Sequence, residues 1–199
     1  LRIEHFVNIL FVTLFIRSGI EILGTFPKLH RSIHTPLGKQ WAQFSVKQKR
    51  KHKYFPVSGE YENYSPIVSL PGYGALGQGR YWHFISVMGW LLLLVIYWGL
   101  LLATGQWRRY WPENWGVFAQ AWDDLVHYLG FQIPSAMDGY PFNAIQQLSY
   151  GFVVLILPMW MILTGMFQSP AINNHFPRIS KAMGGRQVIR TLHFWGLVA

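Results

Sequence analysis

The chain has 199 residues, 51% hydrophobic and 17% aromatic but only 13% charged, roughly half the charged share of an average soluble domain, while a mean hydropathy of only +0.19 requires polar connections between strongly apolar stretches. With no cysteine, disulfides, thiolate-held iron–sulfur clusters and the C-x-x-C-H attachment of haem are excluded. The net charge of +9 is read as basic loops facing anionic lipid or a partner protein, not nucleic acid.

A bilayer crossing takes about 20 apolar residues at 1.5 Å each. The first predicted crossing covers about residues 3–23 and contains Arg17 and Glu21. Leu1 stands at its mouth where a Met would start a chain, and Ala199 falls inside another apolar stretch, so a fragment at both ends is expected. No signal-peptide cleavage site follows the first apolar core. The connection 24–79 is long enough to need structure of its own. It carries the basic run Lys47–Lys53, read as a solvated face or as a contact with lipid headgroups or an acidic partner. Gly72-Tyr-Gly-Ala-Leu-Gly77 fits the spacing of dinucleotide loops. That motif needs a strand before it and a βαβ unit around it, whereas this one follows Leu70-Pro71 and leads into an apolar helix, so no nucleotide site is expected.

The second crossing covers about 82–103. In the connection 104–143, Trp115, Phe118, Trp122, Leu125 and Leu129 recur at intervals of three and four. They predict an amphipathic helix over about 115–129 lying in the membrane interface and ended by Gly130. Trp82, Trp107, Trp111 and Trp115 suit an aromatic belt. The third crossing, about 144–167, contains Pro158 and is expected to kink there. A fourth begins near residue 188 and is cut off at 199. The expected fold is a single all-α domain over residues 1–199: an integral membrane four-helix bundle, its fourth helix truncated, with long connecting loops.

Three of these stretches open alike, with Arg2-Ile-Glu-His5, Arg80-Tyr-Trp-His83 and Arg190-Thr-Leu-His193. Residues three apart share a helix face, so each His points the same way as an Arg one turn nearer the water. Haem needs this chemistry. Neutral imidazole is an axial ligand for iron, and an Arg fork suits the anionic propionates. A single His at a membrane edge more often just hydrogen-bonds at the interface; three behind the same Arg favour haem. Two crossings separate the starts of the second and fourth helices, so His83 and His193 lie on one side and can clamp one iron. His5 lies on the other side, and its partner would stand about fourteen residues past His193, ~21 Å further along the helix and beyond residue 199. Arg17 is an intramembrane charge, costly and usually functional; pairing with Glu21 and a haem or proton role are both open. Gly19, Gly89, Gly99, Gly151, Gly165 and Gly196 lie in apolar stretches, where small residues allow close helix approach or room for a flat macrocycle. His30, His34, His52, His127 and His175 are read as surface residues.

The segments GYGALGQGRYWHF (72–84), TGQWRR (104–109), FNAIQQLSYGFVVLILPMWMILTGMFQSPAI (142–172) and GGRQVIRTLHF (184–194) resemble the thiosulfate reductase-type cytochrome b subunits. These fall within the prokaryotic cytochrome b561-like group, with the cytochrome b subunits of formate dehydrogenase and nickel–iron hydrogenase. The resemblance implies a four-helix subunit with two b haems that exchanges electrons with a quinone or quinol pool in the bacterial cytoplasmic (inner) membrane, crossing it several times. It implies iron ligands at His5, His83 and His193, with the remaining ligand outside the chain. It also implies a peripheral partner, a molybdopterin oxidoreductase often with an iron–sulfur subunit, so that this chain carries and passes electrons without converting the partner's substrate. Most Lys and Arg residues fall on the side of the first and third connections, which positive-inside counting makes cytoplasmic; the formate dehydrogenase relative implies the reverse. Two other functions compete: a haem-free membrane anchor or assembly subunit, and an ion-coupled transporter with Arg17 and Glu21 on its path. The second lacks the paired broken helices of such folds.

Overall fold

The structure is a computed structural model that describes residues 2–32, 34–36, 39–44, 64–71 and 76–199. The Lys47–Lys53 run, His52 and most of the Gly72–Gly77 motif lie outside the described residues, as does the side chain of Arg2.

Among the described residues the chain is all-α apart from one two-residue strand pair. Helix α1 covers Arg2–Thr25, strands β1 and β2 cover Lys28–Leu29 and Ala42–Gln43, and α2 covers Leu76–Ala103. A short 3-10 turn, Gln106–Tyr110, precedes α3 (Gly116–Leu129). Helix α4 (Ala144–Gly151) passes through a π turn, Phe152–Ile156, into α5 (Leu157–Gln168). Two short helices, α6 (Pro170–His175) and α7 (Pro177–Ala182), lead to α8 (Arg186–Val198). Among the described residues, three continuous helical stretches are long and apolar enough to cross a membrane: Ile3–Thr25, Leu76–Ala103 and Ala144–Gln168. Their large apolar side chains point outward, as with Ile3, 81% exposed, and Met88, 68% exposed. A water-soluble fold does not leave such extended apolar surfaces bare, whereas lipid covers them. The chain is an all-α membrane bundle.

Residues 1–95 and 164–199 form one unit, and 96–163 a second. In the first, part of the long connection folds onto α8. The strands pair antiparallel, Lys28 opposite Gln43 and Leu29 opposite Ala42. Leu29 is fully buried. Trp41 stacks near Trp195 with ring centres 5.0 Å apart, and Phe44 near Phe194 at 5.2 Å. Thr191 joins the two segments by donating its hydroxyl to the His30 carbonyl (2.7 Å) and accepting the His30 N–H (3.1 Å). His30 is therefore half-buried and docked, not a free surface residue.

In the second unit, α3 packs on α4 through Val117 and Ala121, which meet Ala144, with Met137, Ile145 and Leu148 around them. Asn143 caps α4 in a reciprocal box with Gln146, satisfying two of the donors that a helix start leaves open. Asp124 on α3 accepts a third, the Ile145 N–H, at 3.1 Å. The aromatic stripe of α3 faces away from this core, with Trp115 85% and Trp122 66% exposed; small residues, not the stripe, make the protein contact. Gly130 follows the last helical residue with φ −83°, and it is Phe131 that takes the left-handed conformation, φ 58°.

Candidate functional site

The second helix begins at Leu76, about six residues before its apolar stretch. Arg80 and His83 therefore stand inside a formed helix, Arg80 exposed and His83 half-buried. His193 stands two turns into α8. The fold brings these two imidazoles together, their ring centres 6.4 Å apart and their planes crossed at 70°.

Each ring is held from a helix other than its own. Ser18 on α1 lies with its hydroxyl 3.0 Å from His83 Nδ1, and Thr164 on α5 with its hydroxyl 2.9 Å from His193 Nδ1. Both hydroxyl residues are fully buried. Ser18 donates its own proton to the Leu14 carbonyl at 2.5 Å, the usual back-bond of a helical serine. It is left to accept from His83 Nδ1. The proton then sits on Nδ1, and Nε2 keeps its lone pair free. A glycine follows each hydroxyl. A methyl group on Gly19 would lie 3.9 Å from His83 Cε1, and one on Gly165 would lie 3.3 Å from His193 Cε1. Larger side chains there would press on the rings.

These residues fit haem. An iron about 2 Å from one nitrogen of each ring, with that nitrogen about 1 Å from its ring centre, needs centres about 6 Å apart. Among the described residues no three His, Asp or Glu side chains gather as a bare cation would require. Two facing imidazoles suit a metal whose other ligands come from a macrocycle.

The arginines differ. Arg190, one turn before His193, gives an Nη hydrogen to the Lys28 carbonyl and stands 5.5 Å over the Phe26 ring. Its Nε is buried without a partner among the described residues, a donor open to an anionic group. Arg17 donates Nε to the Ser69 carbonyl (3.0 Å) and an Nη to the Pro66 carbonyl (2.7 Å), so it ties the segment 64–71 to α1. Glu21 is buried at 5% exposure. His5 is exposed near the start of α1, thirteen residues before Ser18 and so about 20 Å away along the axis; the fold does not bring it to His83 and His193. Sequence spacing marked the two facing histidines but missed Ser18 and Thr164. Their only signal was a hydroxyl directly before a glycine in an apolar helix, Ser18-Gly19 and Thr164-Gly165.

Comparison with known proteins gives one result for the family. The family profile described as prokaryotic cytochrome b561 matches residues 1–199, the whole chain. Neither the curated proteins nor the solved structures gave a match. With this family come haem b and electron transport, which displace the haem-free reading. The chain belongs to the prokaryotic cytochrome b561 family and is a membrane cytochrome b of electron transfer.

Proposed function

We propose that this chain is a dihaem cytochrome b subunit of the thiosulfate reductase type, carrying electrons between quinone and a peripheral molybdopterin oxidoreductase. The partner supplies the iron–sulfur relay, because this chain has no cysteine to hold one. The chain resides in the bacterial inner membrane as a multi-pass protein. His83 and His193 are the axial ligands of one haem, and His5 serves a second with a ligand beyond residue 199. Arg2, Arg80 and Arg190 serve the propionates, and Arg17 holds the segment 64–71 beside the Ser18–His83 contact.

The observation that carries this reading is the 6.4 Å between the two imidazole centres, set by side chains on α2 and α8 and braced from α1 and α5. Haem, when bound, supplies a one-electron couple whose potential depends on its axial ligands and surroundings. The residues here brace each imidazole at Nδ1 and, at His83, leave Nε2 unprotonated, with the Phe15 ring packed 6.2 Å from the His83 ring. Electron passage asks for little movement, and a preset, buried pair suits that.

The test is quinol-driven reduction of the purified protein, followed by visible spectra in the presence and absence of its oxidoreductase. The proposal expects haem b bands that quinol reduces and the partner's oxidised substrate reoxidises. A coloured protein that no quinol reduces and no partner reoxidises would refute the quinone-linked role.

A further inference from the structure

We infer that Ser18 and Thr164 are the positioning residues of the His83/His193 pair: each fixes the plane and tautomer of one imidazole, and together they hold the two rings crossed at a steep angle. The inference rests on the proposed ligand pair and goes beyond it, because two histidines at the right spacing leave the ring planes undetermined.

Three observations support it. The braces are equivalent although they come from different helices. Each is a fully buried hydroxyl within 3.0 Å of an Nδ1, and each is followed by a glycine whose missing methyl leaves room for the braced ring. The Ser18 hydroxyl has spent its proton on the Leu14 carbonyl, so it holds His83 as an acceptor. Beyond the tether at Cβ and packing, the hydroxyl is the hydrogen bond that orients each ring among the described residues. The 70° between the planes is therefore set by where α1 and α5 put these two oxygens.

The identity of the brace also matters. Partners of metal-bound imidazoles tune ligand basicity. A carboxylate would draw the Nδ1 proton and make the ring a stronger donor; a carbonyl or hydroxyl draws it less. Losing the hydroxyl altogether makes the ring a weaker donor still and favours reduced iron.

The experiment uses the haem-loaded protein in membranes, read by electron paramagnetic resonance of the oxidised form and by redox titration. Crossed ligand planes leave two iron d orbitals nearly equal in energy, so the wild type is expected to show a strongly anisotropic low-spin signal. In Ser18→Ala and Thr164→Val that signal is expected to move towards the rhombic form of parallel planes. The midpoint potential is expected to move positive, with haem affinity weakened by roughly 10–100-fold. Thr164→Ser keeps the hydroxyl and is expected to restore the wild-type g values, which also carries the test should either deletion lose its haem. Unchanged g values and midpoint in both haem-loaded deletions, or a shifted signal in Thr164→Ser, would overturn the inference. Failure of the ligand pair itself has a different signature: His83→Ala would keep the haem.

Discussion

Trp98 donates its indole N–H to the Val154 carbonyl at 2.9 Å. Four residues after Val154 stands Pro158, which has no N–H to offer that carbonyl. Inside a bilayer there is no water to replace it, and an unmet backbone group costs several kcal/mol. The helix widens into the π turn at Phe152–Ile156 just before the proline, and the Trp98 indole on α2 supplies a donor to the Val154 carbonyl.

Trp98→Phe should therefore destabilise the protein by about 1–3 kcal/mol, the cost of a buried acceptor left unmet. Pro158→Ala returns an N–H to position 158, and in that background the same Trp98 change should cost clearly less. Unfolding of the four proteins in mild detergent measures the coupling. Strict additivity of the two changes would show that Trp98 is not the substitute partner of Val154.

The two glycines beside the imidazoles should respond differently to alanine. At Gly165 the added methyl sits 3.3 Å from His193 Cε1, tighter than ordinary contact, whereas at Gly19 it sits 3.9 Å from His83 Cε1. Gly165→Ala should shift the haem absorption bands and weaken haem retention, and Gly19→Ala should do so less. Equal effects, or a larger one at Gly19, would mean that ring crowding is not what these positions control.

Arg17 bonds two carbonyls of the segment 64–71. Bonds from a charged donor contribute about 1.5–3 kcal/mol each, so Arg17→Leu should release that segment. Hydrogen exchange should speed up at the Val68 and Ser69 amides, which bond the Ser65 carbonyl at 3.0 Å, with the haem spectrum little changed. Loss of haem without faster exchange would place Arg17 at the cofactor instead.

Much of this was legible in the sequence, for identifiable reasons. Long apolar stretches reveal the helices, and the recurring Arg-x-x-His marked His83 and His193. The second helix starts earlier than its apolar stretch because Leu76-Gly-Gln-Gly-Arg80 is helical yet too polar and small to register as a crossing. Ser18 and Thr164 escaped because each brace lies 65 and 29 residues from its histidine, a relation that only helix packing creates. On α3 the periodicity found the amphipathic helix, but the protein-facing side is the less apolar one, Val117 and Ala121. A hydrophobic stripe says which face leaves water, not whether protein or lipid receives it. The strand pair at Lys28–Leu29 and Ala42–Gln43 is too short for any alternation to show.

The most direct test of the central claim is the haem content per protein, by pyridine haemochrome, of His83→Ala, His193→Ala and the double variant. If one iron lies between these two rings, each single change removes the same haem and the double variant loses nothing more than either alone. A double variant that loses a further haem, or singles that keep the full content, would contradict the pairing.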